Sequence, residues 1–156
     1  MHSINFRFIS RILGMMCFVE GLMMLLVVLT ALIYGEGLLP WAVTIGAFFT
    51  LGSVLLHFGR RLKKKFASRR EGMLAVTLVW LLLSLVGMLP FLLTGSLERP
   101  IDAFFETISG FTTTGATVFN EVESLPHSIL FWRSLTQWQG GLGIVVFTVA
   151  LFPIFG

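Results

Sequence analysis

Charge is scarce in this sequence: 12% of its 156 residues are Asp, Glu, Lys or Arg, against 56% hydrophobic, and mean hydropathy is +0.91. That balance excludes an ordinary water-soluble domain. Cysteine is nearly absent, and the lone Cys17 permits neither a disulfide nor a cysteine metal site within one chain; it reads as a small packing residue in an apolar helix. Histidine is equally thin, with His2, His57 and His127 in separate segments and no metal-ligand spacing. No nucleophile stands beside a base, no phosphate-cradling loop leads into a lysine, and no paired carboxylates form a recognisable site. The sequence therefore offers no support for enzymatic chemistry.

What it has instead is long oily runs. Four stretches, Ile12 to Tyr34, Leu38 to Phe58, Met73 to Leu93 and His127 to Phe155, reach the roughly 20 residues a helix needs to cross a hydrocarbon layer. The first is too long for a cleavable signal core and no small-residue cleavage site follows it. The expected fold is an all-α membrane protein. Net charge is +3, but its distribution says more: Arg60, Arg61, Lys63, Lys64, Lys65, Arg69 and Arg70 all lie between the second and third spans. By the positive-inside rule the loop over residues 59–72 faces the cytoplasm, with some attraction to anionic membrane lipid, and is no nucleic-acid site. The N-terminus with Arg7 and Arg11 then also lies inside, whereas Glu36, Glu98, Asp102, Glu121 and Glu123 fall outside.

Residues 1–58 read as a transmembrane hairpin closed by "GEG", Gly35 to Gly37, and 73–156 as a unit of different design. Between its two spans lies "TGSLERPIDAFFETISGFTTTGATVFNEVESLP", whose centre holds an apolar helical stretch, Asp102 to Gly110, too short to span a bilayer. Pro100 suits its first turn, Asp102 its positive end and Gly110 its termination, while Pro126 opens the last span. Such a helix dips into the bilayer and returns, so the unit reads as helix 73–93, re-entrant pore helix 102–110, extended segment 111–118 and helix 127–155. Irregular backbone at membrane depth is tolerated only where protein buries it or where it lines a water-filled cavity.

The segment "TTGAT", Thr113 to Thr117, suits that setting. A bare alkali cation crossing a membrane needs oxygens in place of its hydration shell, and backbone carbonyls of re-entrant loops supply them. Threonine adds a hydroxyl, glycine reaches positive φ cheaply, and the C-terminal end of the short helix carries partial negative charge. Arg133, about 10 Å down the last span at 1.5 Å per residue, is an intramembrane charge that needs a partner. Glu106 on the pore helix is the candidate, in a structural role. Glu20, midway along the first span, is expected to face another helix and a hydroxyl such as Thr50. "GGLG", Gly140 to Gly143, permits close helix packing, with a gating hinge as the alternative, and Trp132 and Trp138 fill packing or interfacial positions.

"DAFFETISGFTTTGATVF" followed by "LPHSILFWRSLTQWQGGLGIVVF" closely resembles the first pore repeat of the Trk/Ktr/HKT superfamily of potassium transporters, most specifically over Asp102 to Phe147. The resemblance implies potassium uptake across the bacterial inner membrane. It implies a selectivity filter in which Thr113 and Thr114 offer potassium-coordinating carbonyls and Gly115 is the filter glycine, flanked by Thr112, Ala116 and Thr117. Family members carry four such repeats in one polypeptide, so this chain is expected to be the N-terminal portion of a longer protein; a stand-alone homotetrameric pore and a non-conducting membrane scaffold are the alternatives. The implied partners are the remaining pore repeats or identical subunits, a second copy of the full protein as a homodimer, and a cytoplasmic nucleotide-binding regulatory subunit.

Overall fold

Helix formation begins at Asn5, whose side-chain oxygen accepts a 3.2 Å bond from the Phe8 amide and so caps the first turn. From there the computed structural model, which describes residues 4–60 and 69–155, is built of six helices in chain order. These are α1 (Phe6–Ile33), α2 (Leu39–Gly59), α3 (Arg69–Gly87), α4 (Leu89–Leu93), α5 (Pro100–Phe111) and α6 (His127–Phe155). Phe6–Ile33, Leu39–Gly59 and the composite Arg70–Leu93 are long and apolar enough to cross a membrane, and α6 runs for 29 residues over the fourth oily stretch. Most of the basic run between α2 and α3, residues 61–68, lies outside the described residues.

Several boundaries differ from the sequence reading, α3 for one starting at Arg69 rather than Met73, and two of the differences have plain physical reasons. The first helix starts at Phe6 rather than Ile12, taking Arg7 and Arg11 into its opening turns, because the Asn5 cap is upstream of both. The third span is broken at Met88. Pro90 has no amide to give to Val86, and the Phe91 amide turns instead to the Met88 carbonyl at 3.2 Å. The Gly87 carbonyl beside the break takes a 3.0 Å bond from Trp132 Nε1 on α6. Trp132 is fully buried there, edge-on to both Trp41 of α2 and Phe111 of α5. One aromatic thus ties three helices to the point where the third span bends; Trp138 of the same helix is exposed.

The core follows the helix interfaces, with Cys17, Met24 and Val27 of α1, Phe48 of α2, Leu83 of α3 and Ile129 of α6 buried. Many outward leucines and valines of α1 remain exposed, as befits a surface that meets lipid or further protein. The expected pairing of Glu20 with Thr50 is not found. Thr50 sits on the exposed face of α2 and its hydroxyl donates to its own Gly46 carbonyl at 2.7 Å, the local bond a helical threonine makes when no other acceptor faces it. Glu20 is buried on a different face, beside Gln139 of α6.

Candidate functional site

The short helix α5 is placed by its own ends. Arg99 is extended, Pro100 takes the first helical position without forfeiting a bond, and Asp102 stands in the first turn, 3.7 Å from Arg99. The helix runs two residues earlier than expected and one past Gly110, ending at Phe111 with Thr112 as its C-cap. Gly110 does not terminate it; Gly110 permits contact. A Cβ at Gly110 would overlap the Thr136 hydroxyl, and one at Gly140 would overlap the Phe111 carbonyl oxygen.

These contacts set depth. Glu106 meets Arg133, Gly110 meets Thr136 and Phe111 meets Gly140, so α5 and α6 descend side by side in the same direction. Thirteen residues separate His127 from Gly140, which at 1.5 Å per residue places the end of α5 about 20 Å along α6. The chain then climbs back without helix to Pro126, whose carbonyl accepts from the Leu130 amide at the start of α6. Of the glycines in "GGLG", Gly140 faces the end of α5, Gly143 packs on Trp80, and Gly141 faces open space. Close packing is what the first and third serve.

At the turn, the backbone does something specific. The amides of Thr112, Thr113, Thr114 and Gly115 all fold back onto carbonyls of the last turn of α5, at 2.9 Å to Ile108, 2.9 Å to Gly110, and 3.0 and 3.4 Å to Ser109. The carbonyls of Ile108, Ser109 and Gly110 are thereby satisfied. Thr113 and Gly115 adopt positive φ, +57° and +74°, which turns the chain twice within three residues. For glycine this is cheap; for a β-branched residue it costs roughly 1–2 kcal/mol and persists only when the surroundings impose it. Here the amide bonds impose it. Among the described residues, no hydrogen bond ends on the carbonyl oxygens of Thr112, Thr113, Thr114 or Gly115, and these residues are exposed. The Thr112 and Thr114 hydroxyls meet at 2.8 Å. Four successive carbonyls are left available to an outside partner.

The climbing limb is held differently. Glu106, 3% exposed, accepts from Arg133 Nε at 2.7 Å, from the Thr117 hydroxyl at 2.9 Å and from the Val118 amide at 3.0 Å. Arg133 also donates to the Thr117 hydroxyl at 3.2 Å and lies over the Phe119 ring. Sequence reasoning found the two charges but not their target: the pair grips residues 117 and 118 as well as each other.

A second anchor was missed entirely. Glu36, in the turn between α1 and α2, accepts from the His127 amide at 2.6 Å, from the Ser128 amide at 3.0 Å and from the Ser128 hydroxyl, and so caps α6 from 91 residues away. Tyr34 stacks on the His127 ring at 3.8 Å between centroids. Partial burial alone would raise the Glu36 carboxyl, but the bonds from Ser128 and the His127 amide outweigh it and hold the group below the usual glutamate range. The only sequence signal was an acidic residue in a two-glycine turn, which marks a turn and names no partner.

A short helix lying beside a full span, a turn that exposes a row of carbonyls, and a return limb clamped by a buried ion pair define the site of an all-helical membrane protein. The family described as TrkH, cation transport protein, matches residues 41–156. The chain belongs to that family. It is 46% identical over 154 residues to the Trk system potassium uptake protein TrkH of Salmonella typhimurium, covering 97% of this chain and 32% of the relative. It is 33% identical over 158 residues to the Trk system potassium uptake protein TrkG of Escherichia coli, covering all of this chain and 32% of the relative. The crystal structure of the potassium transporter TrkH from Vibrio parahaemolyticus superposes with a TM-score of 0.87 at 40% identity, covering 96% of this chain and 32% of that one. The chain spans about a third of the length of these relatives.

Proposed function

We propose that this chain contributes one of four selectivity-filter segments to a potassium-uptake pathway across the bacterial inner membrane. The observation that carries the reading is the row of unbonded carbonyls from Thr112 to Gly115, whose amides are all committed to α5. Oxygens so presented replace water around a dehydrated monovalent cation, and the carbonyl end of α5 adds favourable potential behind them. Thr113, Thr114 and Gly115 form the coordinating centre, Thr112 begins the run, and Ala116 and Thr117 lead out of it. One segment cannot encircle an ion, so three more stand around the same axis, from one polypeptide or from further copies. Potassium moves inward down its electrochemical gradient, to which the membrane potential contributes about 2.3 kcal/mol per charge at 100 mV.

In this reading the basic segment at 59–72 and the N-terminus lie in the cytoplasm, the turn with Glu36 outside. The relatives' description as members of a Trk system is consistent with assembly beside other components; a cytoplasmic nucleotide-binding regulatory subunit and a homodimer of the whole transporter complete the proposal. The test is potassium-limited growth and rubidium uptake of an uptake-deficient strain carrying the complete gene. Replacing Gly115 by Ala places a side chain at φ +74° and directs its Cβ to 3.4 Å from Gln137 Nε2. Uptake should fall at least tenfold with the protein still in the membrane. Unchanged uptake would overturn the filter assignment.

A further inference from the structure

The row of free carbonyls stops at Ala116, and one side chain stops it. Ser109, on the last turn of α5 and 4% exposed, donates its hydroxyl to the Ala116 carbonyl at 2.6 Å, while its own carbonyl accepts the amides of Thr114 and Gly115. Ser109 thus holds both ends of the Thr114 to Ala116 stretch. Glu106, three residues earlier and therefore on the same helical face, takes over at Thr117 and Val118. The loop is coordination-ready below Ser109's bond and tethered above it.

We propose that Ser109 is a specificity-determining positioning residue: by engaging the Ala116 carbonyl it ends the coordinating run at Gly115 and holds the spacing of the carbonyls that meet the ion. This rests on the filter reading above. Ser109 does not touch the ion; it acts through the backbone. Selectivity between potassium and the smaller sodium depends on the number and placement of carbonyl oxygens offered, whether size or field strength is the governing quantity. Loss of the hydroxyl frees the exposed Ala116 carbonyl and releases the limb it tethers, so that the number and placement of the oxygens offered are no longer fixed for potassium. The backbone bonds to the Ser109 carbonyl survive, so the loop keeps its turn.

The experiment uses the complete gene in uptake-deficient cells and reads apparent affinities for potassium and sodium as a ratio, which does not depend on how much protein inserts. Ser109→Ala should lower discrimination against sodium about fivefold, the order of one hydrogen bond. Ser109→Cys, of similar size but a weak donor, should fall between wild type and alanine. A ratio unchanged in both variants, with or without a fall in maximal uptake, would show a merely structural residue and overturn the proposal. Gly115→Ala runs beside them: if it too leaves the ratio and uptake intact, the filter reading has failed, whereas an altered Gly115→Ala with unaltered Ser109 variants sinks the Ser109 assignment alone.

Discussion

Arg133 Nε lies 2.7 Å from Glu106 Oε1, with the Glu106 side chain almost wholly buried and that of Arg133 21% exposed. An ion pair at this depth survives because each charge has several partners: Glu106 accepts from three residues, and Arg133 reaches the Thr117 hydroxyl and the Phe119 ring besides. Removing one member strands the other, at a cost of about 3–5 kcal/mol for a buried pair. Glu106→Arg or Arg133→Glu alone should abolish uptake and lower the amount of folded protein. The double reversal should recover a measurable part of both, read by rubidium uptake and detergent thermal stability. No recovery would mean that the surroundings, not the pair, dictate which residue carries which sign.

Gly140 and Gly141 are adjacent and should behave oppositely. A methyl group at Gly140 meets the Phe111 carbonyl, which is backbone and cannot rotate away, and approaches Thr113 Cγ2 at 3.1 Å; at Gly141 it meets nothing. Gly140→Ala should displace the end of α5 and reduce maximal uptake by tenfold or more, while Gly141→Ala, which also gains helix propensity of up to about 1 kcal/mol, should leave it near wild type. Equal effects from both would point to a hinge in α6 rather than to packing.

Trp132→Phe keeps the ring in its pocket and deletes the indole donor, leaving the buried Gly87 carbonyl without the bond it accepts at the break between α3 and α4. An orphaned buried acceptor costs about 1–3 kcal/mol. The expected result is a lower unfolding temperature in detergent with transport retained. Loss of transport at full stability would instead assign the bend in the third span a direct role.

Glu36 makes stability depend on acid. Its folded carboxyl titrates below the ordinary glutamate range, so its contribution is present in full above the unfolded value, near 4.3, and is lost as pH falls through the lower folded value. Thermal stability of the wild type should decline below about pH 4. Glu36→Gln should be less stable at neutral pH and show a shallower decline; identical pH profiles would mean that the cap on α6 adds nothing.

Much of this molecule was legible in the order of its residues. Oily runs of membrane-spanning length, the prolines that open α5 and α6, the short apolar stretch ahead of "TTGAT" and the two intramembrane charges depend on local composition and spacing, and local chemistry decides them. Tertiary structure decided the rest, because it turns on which atoms meet across helices. The third span read as one unbroken helix, and neither its bend at Met88, beside Pro90, nor the use Trp132 makes of that bend was foreseen. Glu20 found Gln139 rather than Thr50 because helix rotation, which no single span reveals, sets the face each residue presents. Thr113 adopts a left-handed backbone that threonine avoids alone, since four amides are drawn onto the carbonyl end of α5. The reach of Glu36 to α6 joins residues 91 apart, a pairing that only the packed chain could make.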